Sequence, residues 1–508
     1  MAICEDRFRF ADHDHGGLVL GHEPGSFTDR DCHGDFVGSF LARSKSCGFS
    51  AGPRVATSST KGLAMTRRQV AEGSGVVVSR SGRKTQVLVL ILPLLASFGP
   101  LLPAIGSFYA FRTATLVVLV LGLTWRKEGA ERDRIAFAAA VLAAVMFAVT
   151  MVFLLLGRIH ESGVRELMSV FTGLALVVGL TRIPFSTELL RALTAGWLLA
   201  FIATAVIALR ESASGVHMPN YLPGREFLTS VSDRAPASTF GNPNDYAMML
   251  LLGVPILIAG VTAYSSIFMR ILFATAITLT PFLISATESR LGIALLALVA
   301  ISALQFYHVV GALVAVPILA AGFIIAVLEP SAVTTLIDPG ASTWSDFFLP
   351  GGSGGVRANL IQSEIVITVA SYFLGVGPGH FGVALSTTPG VLPTSGIESP
   401  HSGVMELTSQ YGLVALIAMV IFFSAIFRTA WKGMKAHRGG VRVFHTWLIM
   451  LVLLAPIWTM MTSTTLSSPI FWAAISFFAW TVRGFSLKGV EEVHSSTSRS
   501  DSRFVSCG

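Results

Sequence analysis

Charge is what this sequence has least of. Asp, Glu, Lys and Arg make up 13% of its 508 residues, against about 25% in an ordinary soluble domain, and that deficit excludes a typical cytosolic enzyme. Cysteine is nearly absent as well. Cys4, Cys32, Cys47 and Cys507 all stand in the terminal tails, so no disulfide framework or metal cluster organises the interior. The sequence also has no Walker motif, no nucleophile elbow, no ladder of paired Asp and no His-Glu-x-x-His. The usual marks of phosphate-driven pumping and zinc proteolysis are therefore missing, and neither a metal nor a cofactor is expected.

Hydrophobicity takes the place of charge. It accounts for 53% of residues, with a mean hydropathy of +0.69, and it is organised as recurring apolar runs of about 20 residues, the length that crosses a hydrocarbon core. These observations predict an all-α, polytopic helical membrane protein whose surroundings are the lipid bilayer. A formal net charge of +7 would suggest nucleic acid for a soluble protein. Here the basic residues sit mostly in short connections between apolar runs, so no nucleic-acid partner is expected.

Apolar runs bounded by charges predict spans near 86–105, 110–125, 135–157, 165–181, 188–209, 244–262, 270–286, 291–307, 309–328, 403–427, 443–463 and 467–482, twelve in all. Cytoplasmic connections carry the excess of Lys and Arg. Arg80, Arg83 and Lys84, then Arg126, Lys127, Arg132 and Arg134, then Arg428, Lys432, Lys435, Arg438 and Arg442, and last Arg483 and Lys488 agree on both termini being cytoplasmic. Residues 1–84 hold no span and read as a disordered cytoplasmic extension. Its His13, His15, His22 and His33 read as a flexible tail in preference to a metal site, and the basic leader from Met65 to Lys84 makes Met65 a plausible start. Residues 85–328 carry the first nine spans, 329–402 a large extracytoplasmic loop, 403–483 the last three spans, and 484–508 a disordered cytoplasmic tail.

That parity puts the long connections 210–243 and 329–402 outside, and connections so long are uncommon unless functional. The second holds Trp344, Phe347 and Phe348, then a stretch from Val356 to Phe373 in which Leu360, Ile361, Ile365 and Val369 recur at helical spacing. It predicts an amphipathic helix near the outer membrane interface, broken by Gly375, Gly377, Pro378 and Gly379.

Arginine on the outer side runs against the charge rule and calls for a reason. Arg290 stands in Thr287-Glu288-Ser289-Arg290 where spans seven and eight meet, and Arg357 opens the external helix. Two guanidinium forks converging on one site could hold a diphosphate. Interface anchoring, or pairing with Glu288 or Glu364, accounts for either arginine equally well. His401 stands where the loop re-enters the membrane, a candidate general base or an ordinary loop histidine. Glu406, five residues on, is an ionisable group inside span ten. Asn242 and Asn244 open span six, as a helix cap or as amides facing a polar ligand.

The order Phe240-Gly241-Asn242-Pro243-Asn244-Asp245, Glu288-Ser289-Arg290, Arg357, Gly375-Val376-Gly377-Pro378-Gly379-His380-Phe381, His401-Ser402, Glu406 and Tyr411-Gly412 resembles the O-antigen ligase and O-antigen polymerase superfamily. The resemblance covers roughly residues 86–482, with its motifs between 240 and 412. It implies an inverting glycosyltransferase of the bacterial inner membrane that works on the extracytoplasmic face without a metal. Such an enzyme moves glycan from a polyprenyl-diphosphate carrier, such as undecaprenyl diphosphate, to a glycan, lipid or protein acceptor in surface polysaccharide biosynthesis. Carried over residue by residue, Arg290 and Arg357 would hold the carrier diphosphate, His401 would deprotonate the acceptor hydroxyl, and Glu406 would match an often acidic position of the re-entry helix. Ser402 stands where Asn after the histidine is common. The residues leave ligase and polymerase undecided. The rival reading is a multi-pass transporter or flippase of lipid-linked glycans, but no repeated halves are visible and the charged candidates cluster at the outer mouth.

Overall fold

A computed structural model of the chain describes residues 82–102, 104–105, 108–125, 133–219, 234–306, 353–394, 396–462 and 464–485. The expectations for the N-terminal extension with Met65, the C-terminal tail, the span at 309–328 and the loop from 329 to 352 lie outside the described residues. The helices are α1 (Arg83–Phe98), α2 (Ala110–Thr124), α3 (Arg134–Leu155), α4 (Glu161–Arg182), α5 (Thr187–Ser214), α6 (Pro243–Ala263), α7 (Ile267–Ala286), α8 (Arg290–Phe306), α9 (Ser353–Ala370), α10 (Phe381–Thr387), α11 (Gly403–Ala436), α12 (Gly439–Leu453), the single turn α13 (Ala455–Trp458) and α14 (469–485). A two-residue hairpin pairs Ala104–Ile105 with Phe108–Tyr109; the other regular elements among the described residues are helices.

Polar residues placed just ahead of apolar runs start several of these helices. Asp133 accepts the N–H of Ile135 at 3.2 Å and of Ala136 at 3.1 Å, and Ser186 accepts that of Leu189 at 3.2 Å, so α3 and α5 each begin on a side-chain cap. Among the described residues, α3, α4, α5, α6, α7 and α11 are long and apolar enough to cross a membrane, while α2, the first part of α8 and α12 are shorter apolar helices. Hydroxyls inside these helices return to their own backbone: Thr194 to Leu190 O and Thr204 to Ala200 O, both at 2.8 Å. Such bonds keep these hydroxyls from facing hydrocarbon unpaired.

The span expected at 443–463 is shorter than its apolar window. α12 ends at Leu453, α13 is a single turn with Pro456 near its start, and the chain then runs through Thr459, Thr462, Thr465, Ser467 and Ser468 before α14. Proline supplies no amide to continue the ladder, and the hydroxyl-rich run belongs to a turn.

Packing is close where side chains are small. α1 lies on α5, α2 on α4, and α11 on α3 and α12. A Cβ on Gly122 would collide with the backbone of Gly179, so α2 and α4 touch main chain to main chain. α6 is the centre: every residue from Tyr246 to Gly260 is buried.

Helix ends gather at two poles. At one, Asp133 pairs with Arg483, Arg191 Nε donates to Ala263 O at 2.8 Å, and His437 Nε2 lies 3.0 Å from Phe485 O. Lys84, Lys432 and Lys435 stand there too, at the start of α1 and the end of α11. This is the basic end. At the other, the mouth, Thr239 Oγ1 donates to Ser97 O at 2.6 Å. Buried Glu211 there accepts the N–H groups of Met218 at 3.0 Å, Ala237 at 2.9 Å and Ser238 at 2.6 Å, tying α5 to the approach to α6.

Candidate functional site

The mouth is organised by a break in α11. Gly412 has φ 84° and ψ 174°, which divides that helix into 403–411 and 413–436. The break releases main-chain groups, and the chain after α9 takes them. Leu413 N donates to Phe373 O at 2.8 Å, Val376 N to Ser409 O at 2.8 Å, and Gly377 N to Gln410 O at 3.0 Å. Gly379 N adds a 2.6 Å bond to Gln410 Oε1. On its far side the same loop lies on the start of α4, where a Cβ on Gly163 would collide with Pro378 O. Ser162 Oγ donates to Gly379 O at 3.3 Å, and the His160 and His380 rings meet edge to face at 5.6 Å. The glycine-rich segment that the sequence marks as a helix breaker is thus a bracket joining α4, α9 and α11.

The helix expected from Val356 to Phe373 is present as α9. Val356, Leu360 and Ile367 pack with Phe381 and Ala384 of α10 in a small apolar cluster. Leu392 N donates to Ser363 Oγ at 2.9 Å and Asn359 Nδ2 to Pro393 O at 3.0 Å, which pins the helix to the chain ahead of α11. Arg357, Glu364 and Thr368, spaced by seven and four residues, share a neighbouring stripe.

That stripe faces the candidate residues of α11. Arg357 lies close enough to His401 for its charge to act on the imidazole: burial first, then Arg357, push His401 down to about 4, so the ring is neutral at pH 7. Burial also lowers the Arg357 pKa from its ordinary value, and it raises Glu364 to about 8. Arg357 and Glu364 do not form the pair that would have explained both; neither Glu364 oxygen has a hydrogen-bond partner.

Ser402 caps α11, accepting Met405 N at 3.5 Å, and this sets Glu406 one turn inside. Glu406 is fully buried and its Oε2 accepts the N–H groups of Thr465 at 2.8 Å and Leu466 at 3.1 Å, closing the turn before α14 onto α11. A third carboxylate, Glu166 of α4, accepts the Tyr411 hydroxyl at 2.7 Å. Several buried polar atoms of this seam have no partner within the protein: both Glu364 oxygens, Thr368 Oγ1, His401 Nδ1, Glu406 Oε1 and Ser409 Oγ. Such a concentration marks a functional seam, because buried polar groups are ordinarily paired.

Arg290 stands at the same end as the first residue of α8, where Ser289 Oγ accepts Gly292 N at 3.4 Å. A Cβ on Gly292 would touch Met461, so this turn adjoins the 459–466 segment that clamps Glu406. Asn242 caps α6 by accepting Asn244 N at 2.8 Å. Both asparagines are at the mouth, but α6 has α5, α7 and α12 as its main neighbours, away from α9. The structure therefore brings Arg357, His401, Glu364 and Glu406 together, links Arg290 to them through one turn, and sets Asn242 and Asn244 apart. Sequence reasoning passed over Glu166, although an ionisable residue at the start of an apolar run is itself a signal. It also took Glu364 only as a partner for arginine. Among the described residues no group of three or more His, Cys, Asp or Glu is arranged to hold a metal ion.

The fold and its mouth define a helical membrane protein with a polar site at one end of the bundle. Residues 271–420 match the model of a family described as O-Antigen ligase. That segment includes Arg290, Arg357, His401 and Glu406, and the match bears out the resemblance to the O-antigen ligase and polymerase superfamily. No curated protein matches the chain.

Proposed function

We propose that this protein is an extracytoplasmic inverting glycosyltransferase of surface polysaccharide biosynthesis, moving glycan from a polyprenyl-diphosphate carrier to an acceptor hydroxyl. The observation that carries the reading is the juxtaposition of Arg357 with a neutral His401 at the mouth, within the segment matched to the O-antigen ligase family. The acceptor oxygen attacks the anomeric carbon from the face opposite the carrier. The bond from that carbon to the diphosphate oxygen breaks, its electron pair leaves with the polyprenyl diphosphate, and His401 takes the acceptor proton. Arg357 and Arg290 stabilise the charge growing on the leaving group. General-base help of this kind is worth about 10²–10⁴-fold. Glu406 holds the mouth in shape through Thr465 and Leu466 while its other oxygen stays available to a hydroxyl.

Twelve spans, both termini in the cytoplasm and a mouth facing outward from the bacterial inner membrane complete this reading. Lys84, Lys432 and Lys435, the lysines among the described residues, stand at the end of the bundle opposite His401, as the charge rule asks of a cytoplasmic face. The test is glycan transfer by purified protein in liposomes supplied with polyprenyl-diphosphate glycan. His401→Ala is expected to remain folded and inserted and to lose transfer; near-normal transfer by that variant overturns the assignment.

A further inference from the structure

Tyr372 and Phe373, consecutive aromatic residues after α9, hold left-handed backbone with φ 53° and 61°. Bulky side chains rarely adopt that region, where Gly or Asn is the ordinary choice. The turn is nevertheless well fixed. Tyr372 N donates to Val369 O and Phe373 N to Thr368 O, both at 2.9 Å, and Phe373 O accepts Leu413 N at 2.8 Å. The side chains it carries are not covered: Tyr372 is 85% exposed, Phe373 49% and Leu374 68%.

The bond to Leu413 sets the height of this turn. Leu413 is where the long segment of α11 resumes after Gly412, and with Val414, Ile417, Val420 and Ile421 it forms a strip of apolar residues 40% to 56% exposed, the face a membrane-crossing helix offers to acyl chains. The exposed aromatic turn is continuous with that strip. Water is a poor neighbour for three adjoining large apolar side chains held in a strained turn. A bilayer margin suits them: Phe373 and Leu374 reach acyl chains, and the Tyr372 ring lies at headgroup level with its hydroxyl wet.

We propose that the Tyr372-Phe373-Leu374 turn inserts into the margin of the bilayer at the mouth end, and that lipid is what covers it. The turn then anchors the end of α9, so the helix bearing Arg357 and Glu364 is held at the membrane surface by lipid as well as by the bracket to α11. This holds whether or not the protein transfers glycan.

The four native cysteines stand at 4, 32, 47 and 507, so a full-length chain with each changed to Ser accepts single labelling sites. A nitroxide on Leu374→Cys, with Tyr372→Cys as a second site should the first fail to fold, is measured in phosphatidylethanolamine and phosphatidylglycerol liposomes. A nitroxide on Val420→Cys serves as the lipid-facing reference. The expected result is that dissolved oxygen reaches the label and a water-soluble nickel chelate does not, as at position 420. Free access of the chelate, meaning an aqueous turn, overturns the proposal. So does shielding from both reagents, which would mean that protein covers the turn.

Discussion

Tyr411 donates a hydrogen bond through its hydroxyl to Glu166 at 2.7 Å across 245 residues of sequence. The bond spans from α11 to α4 one residue before the Gly412 break, so it fixes the two helices at the height where the mouth begins. Tyr411→Phe takes one hydrogen-bond donor from Glu166. The net worth of such a hydrogen bond is about 0.5–1.5 kcal/mol, and the variant is expected to unfold at a lower temperature in detergent, with its helical circular dichroism unchanged at the start of the melt.

Glu406 offers a sharper comparison. Glu406→Ala removes the acceptor of two main-chain amides and is expected to cost about 1–3 kcal/mol, the penalty for leaving buried donors unsatisfied. Glu406→Gln keeps one acceptor oxygen and loses far less. Thermal melts of the two variants measure the clamp. A Gln variant that melts normally yet transfers poorly would show that the spare oxygen serves substrate.

Gly163→Ala tests the bracket. The added methyl meets the Pro378 carbonyl, a backbone atom that cannot step aside alone, and overpacking of this kind costs about 1–3 kcal/mol. Gly82→Ala, with nothing within 4 Å of the new carbon, is the matched control. Limited proteolysis of the 375–380 loop is expected to quicken in the first variant and to stay unchanged in the second.

Outside the membrane-crossing helices, Glu364 and His401 are expected to make stability depend on pH with opposite signs. Glu364 is raised from 4.5 to about 8 by burial, so the folded chain holds a proton that the unfolded chain has lost, and stability falls as pH rises through that window. His401 is lowered from 6.5 to about 4, so the folded chain binds fewer protons there, and stability rises with pH up to the unfolded value. The two oppose each other below 6.5. From 6.5 to 8 the His401 contribution is complete, and Glu364 by itself contributes a loss of about 2 kcal/mol across that interval. Melts at pH 6.5 and 8 measure it, and Glu364→Gln is expected to shrink the difference by about that amount.

Arg290→Lys and Arg357→Lys each keep the charge and lose the fork. Both are expected to weaken capture of polyprenyl diphosphate in liposomes, and unchanged carrier affinity would count against the diphosphate assignment.

The helices were legible because hydrophobic runs between charges have a length and a polar boundary that sequence displays directly; α2, α4 and α7 fall within a few residues of their expected positions. α12 was overdrawn because a hydropathy window does not register that Pro456 lacks an amide. Arg357 and His401 could be named from their motif order, but their proximity depends on α9 folding back along α11. Glu166 and the double amide grip on Glu406 were illegible for the same reason: contacts across 245 and 59 residues follow from packing, and local pattern carries no trace of them. Asn242, by contrast, does what Asn ahead of a helix ordinarily does.

The grip of Thr465 and Leu466 on Glu406 also bears on how the molecule is made. Those two amides belong to the connection before α14 and leave the ribosome after every candidate residue from Asn242 to Glu406. A nascent chain stopped short of that connection would already carry Arg290, Arg357 and His401 but would lack the closure that shapes the mouth around them. The mouth therefore takes its final shape late in synthesis, with its last turn.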